Sequence, residues 1–170
     1  KPFAKATVDG MKSIAENANI EFCLLEKYTE KSELYNAVAD VDALIVRSDK
    51  VTKEVIDHAH QLKIVVRAGA GFDNLDLDAC TARGIVAMNT PGQNSNAVAE
   101  LALGMMIFIS RNSFCPGTGS ELKGKNLGIQ AYGNVGRLVA QIAKGFGMNV
   151  YAFDPFVSAE AIEKDGVNVI

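Results

Sequence analysis

The feature that most constrains the fold is a regular alternation of short apolar runs with amphipathic stretches along the 170 residues. The apolar runs are rich in Ile, Val and Leu and mostly lack polar alternation, which is typical of parallel strands covered on both faces. The stretches between them carry helical spacing, so the pattern predicts an α/β fold with parallel sheets. The first four predicted strands are Ile20–Leu25, Ala43–Val46, Ile64–Val66 and Ile85–Met88.

Capping residues predict where the helices of this first part begin and end. Ser32, Thr52 and Asp76 can each cap a helix, and Gly84 can end the last of these helices in a left-handed conformation. The longest predicted helix, Ser95–Arg111, is apolar on most faces. We interpret it as a buried crossover between two α/β domains.

The alternation resumes after a stretch rich in Gly, Ser and Thr. Strands are predicted at Asn126–Ala131 and Met148–Phe153, with a further strand near Val167, and helices at Val135–Phe146 and Ser158–Lys164. An open parallel sheet built from two halves normally has about six strands, which is more than this part of the chain can hold. The first part begins directly on a helical pattern, with no strand before it. We therefore expect a domain over residues 1–94 that lacks its first strand, followed by a crossover helix and a truncated second domain over residues 95–170.

Composition excludes several classes of function. The net charge of −3 and the absence of a basic stripe argue against nucleic acid and anionic membranes as partners. No apolar run reaches the ~18 residues that a membrane span needs, and no secretory signal precedes the first helix. The three cysteines have no metal-ligand spacing and are expected to be free thiols. These features predict a cytoplasmic protein.

The segment Ala131–Gly136 carries the pattern of a dinucleotide-binding turn. It follows a predicted strand and opens a predicted helix, which is the placement that this chemistry requires. Gly133 lets the backbone approach a pyrophosphate, and Gly136 lets the helix pack on the strand. Ala131 replaces the first glycine of the pattern, which is acceptable if its φ is negative. The predicted cofactor-binding residues here are Tyr132, Gly133, Asn134, Val135 and Gly136.

An acidic residue indicates which dinucleotide this turn binds. Asp154 ends the next predicted strand, 18 residues after Gly136. A carboxylate at about this distance accepts hydrogen bonds from the adenosine ribose and repels a 2′-phosphate. The sequence therefore predicts NAD as the cofactor rather than NADP.

Two loops of the first domain are candidates for a second anionic site. Arg47 and Ser48 close one strand, and Arg67–Gly71 follows the next, so both loops leave the same edge of one sheet. Arg47 can bind a phosphate or carboxylate, or it can be a solvated residue at the end of the sheet. The small residues of the Arg67–Gly71 loop let consecutive backbone amides bind an anion, although the loop can also be a turn that binds nothing. The predicted substrate-binding residues are Arg47, Ser48, Gly69, Ala70 and Gly71.

Neither histidine is a good candidate for a catalytic base or a metal ligand. His58 and His60 point in different directions from a predicted helix and have no third ligand nearby. We therefore assign no catalytic residue and no metal site within the chain.

Taken together, these motifs resemble the D-2-hydroxyacid dehydrogenase family, and most closely its members that oxidise D-3-phosphoglycerate. The resemblance covers nearly the whole chain in family order. The resemblance rests on the turn, on Asp154-Pro155 and on five further segments: Val46–Ser48, Val66–Asn74, Asn89–Pro91, Val98–Leu101 and Leu122–Ile129.

The resemblance implies a flavodoxin-like substrate domain joined by a long helix to a Rossmann-type cofactor domain. By resemblance, Arg47 and Ser48 would bind the phosphate of a small phosphorylated hydroxyacid. The Gly69–Gly71 loop would bind its carboxylate, with Ala70 also near the nicotinamide. The family's catalytic Arg, Glu and His would lie beyond residue 170, so we expect the chain alone to be inactive. The family usually pairs through its cofactor domain, which predicts a homodimer or higher homo-oligomer.

Two alternatives stay open. One is another dehydrogenase of the family, acting on glyoxylate, hydroxypyruvate or lactate, because the resemblance implies polar groups at the position of Arg47 in these relatives too. The other is a non-catalytic, NAD-sensing protein like the family's transcriptional corepressors.

Overall fold

The computed structural model describes residues 3–170, which divide into two compact units of helices and parallel strands. The first unit extends to Pro91 and the second covers Gly92–Ile170. Each unit contains a three-stranded sheet in which every pairing is parallel, so the predicted α/β class is confirmed. Within residues 3–170, no helix combines the length and apolar character needed to cross a bilayer.

The first unit builds its sheet in chain order, β1-β2-β3. Its core lies between the sheet and the helices, where Ile56, Val65 and Cys80 are almost completely buried. Burial raises the pKa of the Cys80 thiol, which is consistent with an unreactive core cysteine. The elements are α1 (Lys5–Asn17), α2 (Lys31–Val38), β1 (Ala43–Val46), α3 (Lys53–His58), β2 (Ile64–Arg67), α4 (Leu77–Ala82) and β3 (Val86–Asn89).

Local capping chemistry sets the helix ends in this unit. Asp76 caps α4 by accepting a hydrogen bond from the Ala79 amide at 2.9 Å, and Gly84 follows α4 with φ +65°, both as predicted. Ser32 does not cap α2, because the cap is Glu30. The Glu33 side chain reaches back to the Glu30 amide at 3.0 Å and completes a reciprocal capping box. That pairing of two glutamates determines the start of α2.

The predicted strand Ile20–Leu25 does not form. The segment has no strand partner among residues 3–170, and Ile20, Leu24 and Leu25 are 61%, 39% and 37% exposed. A strand exists only through its ladder of hydrogen bonds to a neighbour. An apolar composition favours an extended segment here, but composition alone cannot supply the neighbour.

The second unit repeats the arrangement with a sheet ordered β4-β5-β6. Its core centres on Ala143, Val150, Ala152 and Ile162. The elements are α5 (Ser95–Ser110), β4 (Asn126–Gln130), α6 (Asn134–Gly145), β5 (Asn149–Phe153), α7 (Ala159–Lys164) and β6 (Asn168–Val169), with a short turn at Asn112–Phe114. The predicted strands and helices of this part are confirmed to within one or two residues at each end.

Within its unit, helix α5 is not the buried helix that its composition suggested. It packs against α6, and Ala99 and Leu103 are buried on that side. Leu101, Met105 and Ile109, spaced by four residues, are 65%, 55% and 71% exposed. Residues at this spacing share one helix face, so α5 presents an apolar stripe that its own unit leaves uncovered.

The backbone at Ala131 departs from the expected conformation. Its φ is +83°, whereas the sequence argument required a negative value. The amide of Ala131 donates to the Phe153 carbonyl at 2.8 Å, which fixes the residue between β4 and β5. A residue with a Cβ atom in the left-handed region costs roughly 1–2 kcal/mol, so the turn holds Ala131 in a strained state.

We predict that Ala131→Gly stabilises the chain by relieving this strain. The added flexibility of glycine in the unfolded chain offsets part of the gain, leaving about 0.5–1 kcal/mol. Such a gain corresponds to a rise in Tm of roughly 1–4 °C in thermal unfolding.

The control for this substitution is Ala97→Gly, on an exposed position of α5, which should lower stability by about 1 kcal/mol. A fall in Tm for Ala131→Gly as large as that of the control would contradict the strain at Ala131.

Candidate functional site

The segment after β4 forms the strand–turn–helix unit that the sequence predicted. Gln130 ends β4, Gly133 is the cap of α6, and the first bond inside the helix runs from the Arg137 amide to the Gly133 carbonyl at 3.0 Å. The amides of Asn134, Val135 and Gly136 therefore have no acceptor within the helix. Three N–H groups at a helix N-terminus favour binding of an anion.

The two glycines of the turn differ in their surroundings. A Cβ atom on Gly136 would lie 2.3 Å from the Ala131 carbonyl oxygen, which is closer than any side chain can approach a backbone atom. A Cβ atom on Gly133 would meet nothing within 4 Å. Gly136 is thus required by packing of the helix on the strand, whereas Gly133 faces open space above the turn.

Asp154 lies immediately after β5, beside the turn. One carboxylate oxygen accepts a hydrogen bond from the Tyr132 amide at 2.7 Å, and the other accepts from the Phe156 amide at 2.8 Å. The side chain is only partly buried, and each oxygen keeps capacity for a further donor. Asp154 therefore ties the turn to β5, a role that its position in the sequence did not reveal.

Tyr132 is placed differently from its neighbours in the turn. Its side chain is 1% exposed and belongs to the core of the second unit, and its amide is already bound by Asp154. The ring is therefore buried and the amide is engaged in this structure, and cofactor binding by Tyr132 stays a prediction.

The Tyr132 hydroxyl belongs to a group of three side chains, which we call the Tyr132 cluster: Tyr132, Arg137 and Asp165. The hydroxyl donates to Oδ2 of Asp165 at 3.1 Å, and the Arg137 guanidinium donates to the same oxygen at 2.7 Å. The Arg137 Cζ atom lies 4.9 Å from the centre of the Tyr132 ring. Sequence reasoning missed this cluster because Asp165 is 28 residues from Arg137 and belongs to no motif.

In the first unit, three strand ends meet at one edge of the sheet. The parallel register aligns Val46, Arg67 and Asn89 across β1, β2 and β3. The loops that begin at Arg47, Ala68 and Thr90 therefore leave the sheet at the same edge, as predicted. Both Arg47 and Ser48 are exposed there, and both already interact within the chain.

The Gly69–Gly71 loop is held by the neighbouring strand. The Thr90 amide donates to the Gly69 carbonyl at 2.8 Å, and the Asn89 side-chain amide donates to the Ala70 carbonyl at 2.7 Å. The Gly69 amide is engaged by the Arg67 carbonyl at 2.8 Å. Over residues 3–170, the amides of Ala70 and Gly71 have no backbone acceptor, so the predicted nest is reduced to these two groups.

The side chain of Arg67 folds back over this loop. A Cβ atom on Gly69 would lie 1.5 Å from an Arg67 guanidinium nitrogen, so the guanidinium occupies the space that the missing side chain leaves. The Arg67 Nε atom is buried and makes no hydrogen bond in the described part of the chain. The loop thus carries the positive charge of Arg67, a residue that the sequence did not identify as substrate-binding.

The two histidines lie away from this edge. His58 ends α3 and stacks on Tyr35 with ring centres 4.2 Å apart, and its Nδ1 atom lies 2.8 Å from the Glu54 carbonyl oxygen. His60 follows shortly before β2 begins, so both residues are near the amino end of that strand. Arg47 and the Gly69–Gly71 loop are at the carboxyl ends.

A cavity of about 600 Å³ lies in another part of the second unit, between the end of α5 and the segment before β4. Hydroxyl and apolar groups, Asn112 and one lysine line it, and no residue of the segment Ala131–Gly136 does. Its lining includes Met106, Ile109, Ser110, Thr118, Ser120 and Lys125.

Comparisons with known proteins agree with the fold. The chain is 48% identical to NAD⁺-bound 3-phosphoglycerate dehydrogenase of Entamoeba histolytica, whose crystal structure matches with a TM-score of 0.90 over 100% of this chain and 54% of that one. It is 38% identical to D-3-phosphoglycerate dehydrogenase of Methanocaldococcus jannaschii, over 95% of this chain and 33% of the relative. It is 40% identical to hydroxypyruvate reductase of Thermotoga maritima, over 79% of this chain and 49% of the relative.

The chain therefore spans about a third of the first curated relative and about half of the second. The family described as D-isomer specific 2-hydroxyacid dehydrogenase, catalytic domain, matches residues 3–170. Because this match takes in every residue that the structure describes, the chain belongs to the D-isomer specific 2-hydroxyacid dehydrogenase family.

Proposed function

We propose that the chain supplies the substrate-binding and NAD-binding parts of an enzyme that oxidises D-3-phosphoglycerate to 3-phosphohydroxypyruvate. The observation that carries the proposal is the start of α6: the amides of Asn134, Val135 and Gly136 have no acceptor within the helix. The space beside Gly133 is open, and Asp154 holds the residue before it. The names of two relatives, both phosphoglycerate dehydrogenases, support the choice of substrate.

In the second unit, the amides of Asn134, Val135 and Gly136 would bind the pyrophosphate of NAD. The open space above Gly133 would admit the phosphate oxygens close to the backbone. Asp154 would accept hydrogen bonds from the adenosine ribose with its remaining lone pairs, while its charge would repel the 2′-phosphate of NADP.

In the first unit, Arg47 and Ser48 would bind the phosphate of the substrate. The amides of Ala70 and Gly71 would bind its carboxylate, with Ala70 also beside the nicotinamide. The guanidinium of Arg67 lies over the same loop and would add positive charge next to the carboxylate. These assignments give each anionic end of a phosphorylated hydroxyacid its own set of donors.

Bound NAD would supply the acceptor for a hydride from C2 of the substrate, whose hydroxyl proton would pass to a base. Neither described histidine lies at the strand ends where the substrate is proposed to bind. The chain would therefore bind and orient the reactants, and we expect the 170-residue chain alone to show no turnover.

We also propose that the full-length enzyme forms a homodimer through α5. The exposed stripe of Leu101, Met105 and Ile109 supports this choice, because contiguous apolar faces of this kind are usually covered by a partner. A twofold axis would bring two copies of the stripe together in a self-complementary contact.

The first prediction concerns NADH binding by the 170-residue chain, measured by fluorescence titration. Gly133→Ala should keep the wild-type Tm but weaken binding at least tenfold, or about 1.4 kcal/mol, because its methyl group would enter the pyrophosphate space. Gly136→Ala should lower the stability by about 1–3 kcal/mol, because its methyl group meets the Ala131 carbonyl.

Wild-type chain should also bind NADH at least about tenfold more tightly than NADPH. Wild-type affinity in Gly133→Ala, or equal affinity for the two dinucleotides, would contradict the proposed contacts.

The second prediction concerns turnover by a full-length protein that contains this chain. With NAD⁺, kcat/KM should be highest for D-3-phosphoglycerate. Arg47→Ala should lower kcat/KM for D-3-phosphoglycerate about 10–100-fold, which corresponds to the loss of one charged hydrogen bond. The same substitution should lower kcat/KM for D-glycerate much less. Lys53→Ala, an exposed cation on α3, is the control and should leave both substrates unaffected.

A preference for hydroxypyruvate or lactate, insensitive to Arg47, would assign the protein to another activity of the family. Intact NADH binding without turnover of any hydroxyacid would favour an NAD-sensing role.

The third prediction concerns assembly of the full-length protein, measured by sedimentation velocity. Leu101→Ser combined with Ile109→Ser should shift a dimer to a monomer. Phe156→Ser, which removes an apolar side chain that is 94% exposed elsewhere, should not. A dimer that survives the double substitution would rule out α5 as the interface.

A further inference from the structure

The Tyr132 cluster joins three separate parts of the second unit at one carboxylate oxygen. Tyr132 comes from the turn, Arg137 from the first turn of α6, and Asp165 from the end of α7. Both donors reach Oδ2 of Asp165, at 3.1 Å and 2.7 Å. The Asp165 carbonyl also accepts a hydrogen bond from Lys144, farther along α6. Asp165 is therefore fixed against both ends of α6.

The charge of Arg137 needs such a partner. A cation in the first turn of a helix is opposed by the helix dipole and by the unengaged amides next to it. Asp165 compensates that charge and, together with the Tyr132 ring, holds the guanidinium at 4.9 Å from the ring centre. The position of Arg137 is thus set by groups of the second unit itself.

Tyr132 is held from two sides. Its amide donates to Asp154 and its hydroxyl donates to Asp165. Burial and the hydrogen bond to Asp165 both raise the pKa of the Tyr132 hydroxyl, so it remains a donor at neutral pH. The residue before it, Ala131, has φ +83°, a strained conformation that persists only where neighbouring contacts enforce it.

We propose that Asp165 is a positioning residue for the dinucleotide: through Tyr132 and Arg137 it holds the turn in its binding shape before the ligand arrives. The proposal rests on the NAD site described above. An ordered turn loses less conformational freedom on binding, so the cluster would strengthen binding without touching the ligand.

The test compares the affinities of variants of the 170-residue chain for ADP-ribose and NADH. Tyr132→Phe keeps the buried ring and removes only the hydroxyl, and Asp165→Ala removes the shared acceptor. Each should weaken binding about threefold to tenfold, the range expected for one hydrogen bond. Asp165→Asn keeps an acceptor for the hydroxyl and should recover at least half of the loss. Tyr151→Phe on β5 is the matched control and should bind like wild type.

The measured affinity distinguishes a positioning role of Asp165 from a role in the stability of the chain alone. Well below the melting temperature, a variant of lower stability is still almost entirely folded, so its Kd is unchanged unless the site itself changes. Wild-type affinity in both Tyr132→Phe and Asp165→Ala would overturn the proposal. Tighter binding in Asp165→Ala would also overturn it, because a released Arg137 would then be a better ligand for the phosphates.

If the wild-type chain binds neither ADP-ribose nor NADH, the proposed function fails. Amide hydrogen exchange then tests separately whether the Tyr132 cluster orders the turn. Both substitutions should speed exchange of the Tyr132 and Arg137 amides at least threefold relative to the β5 amides. Unchanged exchange at those two amides would overturn the positioning role.

Discussion

The contact between the Ala131 carbonyl and Gly136 is the constraint on which the second unit depends. A side chain at residue 136 would stand 2.3 Å from that oxygen, so α6 reaches β4 only because the position is a glycine. The close approach fixes the direction of α6 and brings its first amides to the carboxyl end of the sheet. Asp154 and Asp165 then hold the intervening turn from the loops after β5 and α7. Packing thus acts on Ala131, and polar contacts hold the next residue, Tyr132.

The two units use the same property of parallel sheets in different ways. Parallel strands bring successive loops to one edge, and each unit presents amides there that have no backbone acceptor within residues 3–170. In the second unit these amides belong to a helix N-terminus, and a carboxylate nearby favours a neutral ribose over a phosphate. In the first unit they belong to a short loop under the Arg67 guanidinium, beside Arg47. The guanidinium groups at the first edge add positive charge that favours an anionic ligand.

Much of this arrangement follows from the sequence, because it is encoded locally. Apolar runs predict β1 to β5, Asp76 and Gly84 delimit α4, and the spacing of Gly133, Gly136 and Asp154 predicts the turn. The errors arise where distant groups decide the outcome. Ile20–Leu25 has the composition of a strand but no neighbour to pair with, and the apolar faces of α5 are not all covered within its unit. Ala131 adopts a positive φ because contacts across the sheet impose it.

The polar contacts that belong to no sequence motif also join residues that are far apart in the chain. Asp165 meets Tyr132 and Arg137 across 33 and 28 residues, and Arg67 covers Gly69 only once the loop has folded.

The turn before α6 is the proposed binding site for the pyrophosphate of NAD, and a ¹H–¹⁵N NMR titration of the chain with NAD⁺ measures this binding residue by residue. We expect the largest shifts on the amides of Gly133, Asn134, Val135 and Gly136. Shifts confined to the cavity near Ser110 and Lys125, or no shifts at all, would contradict it.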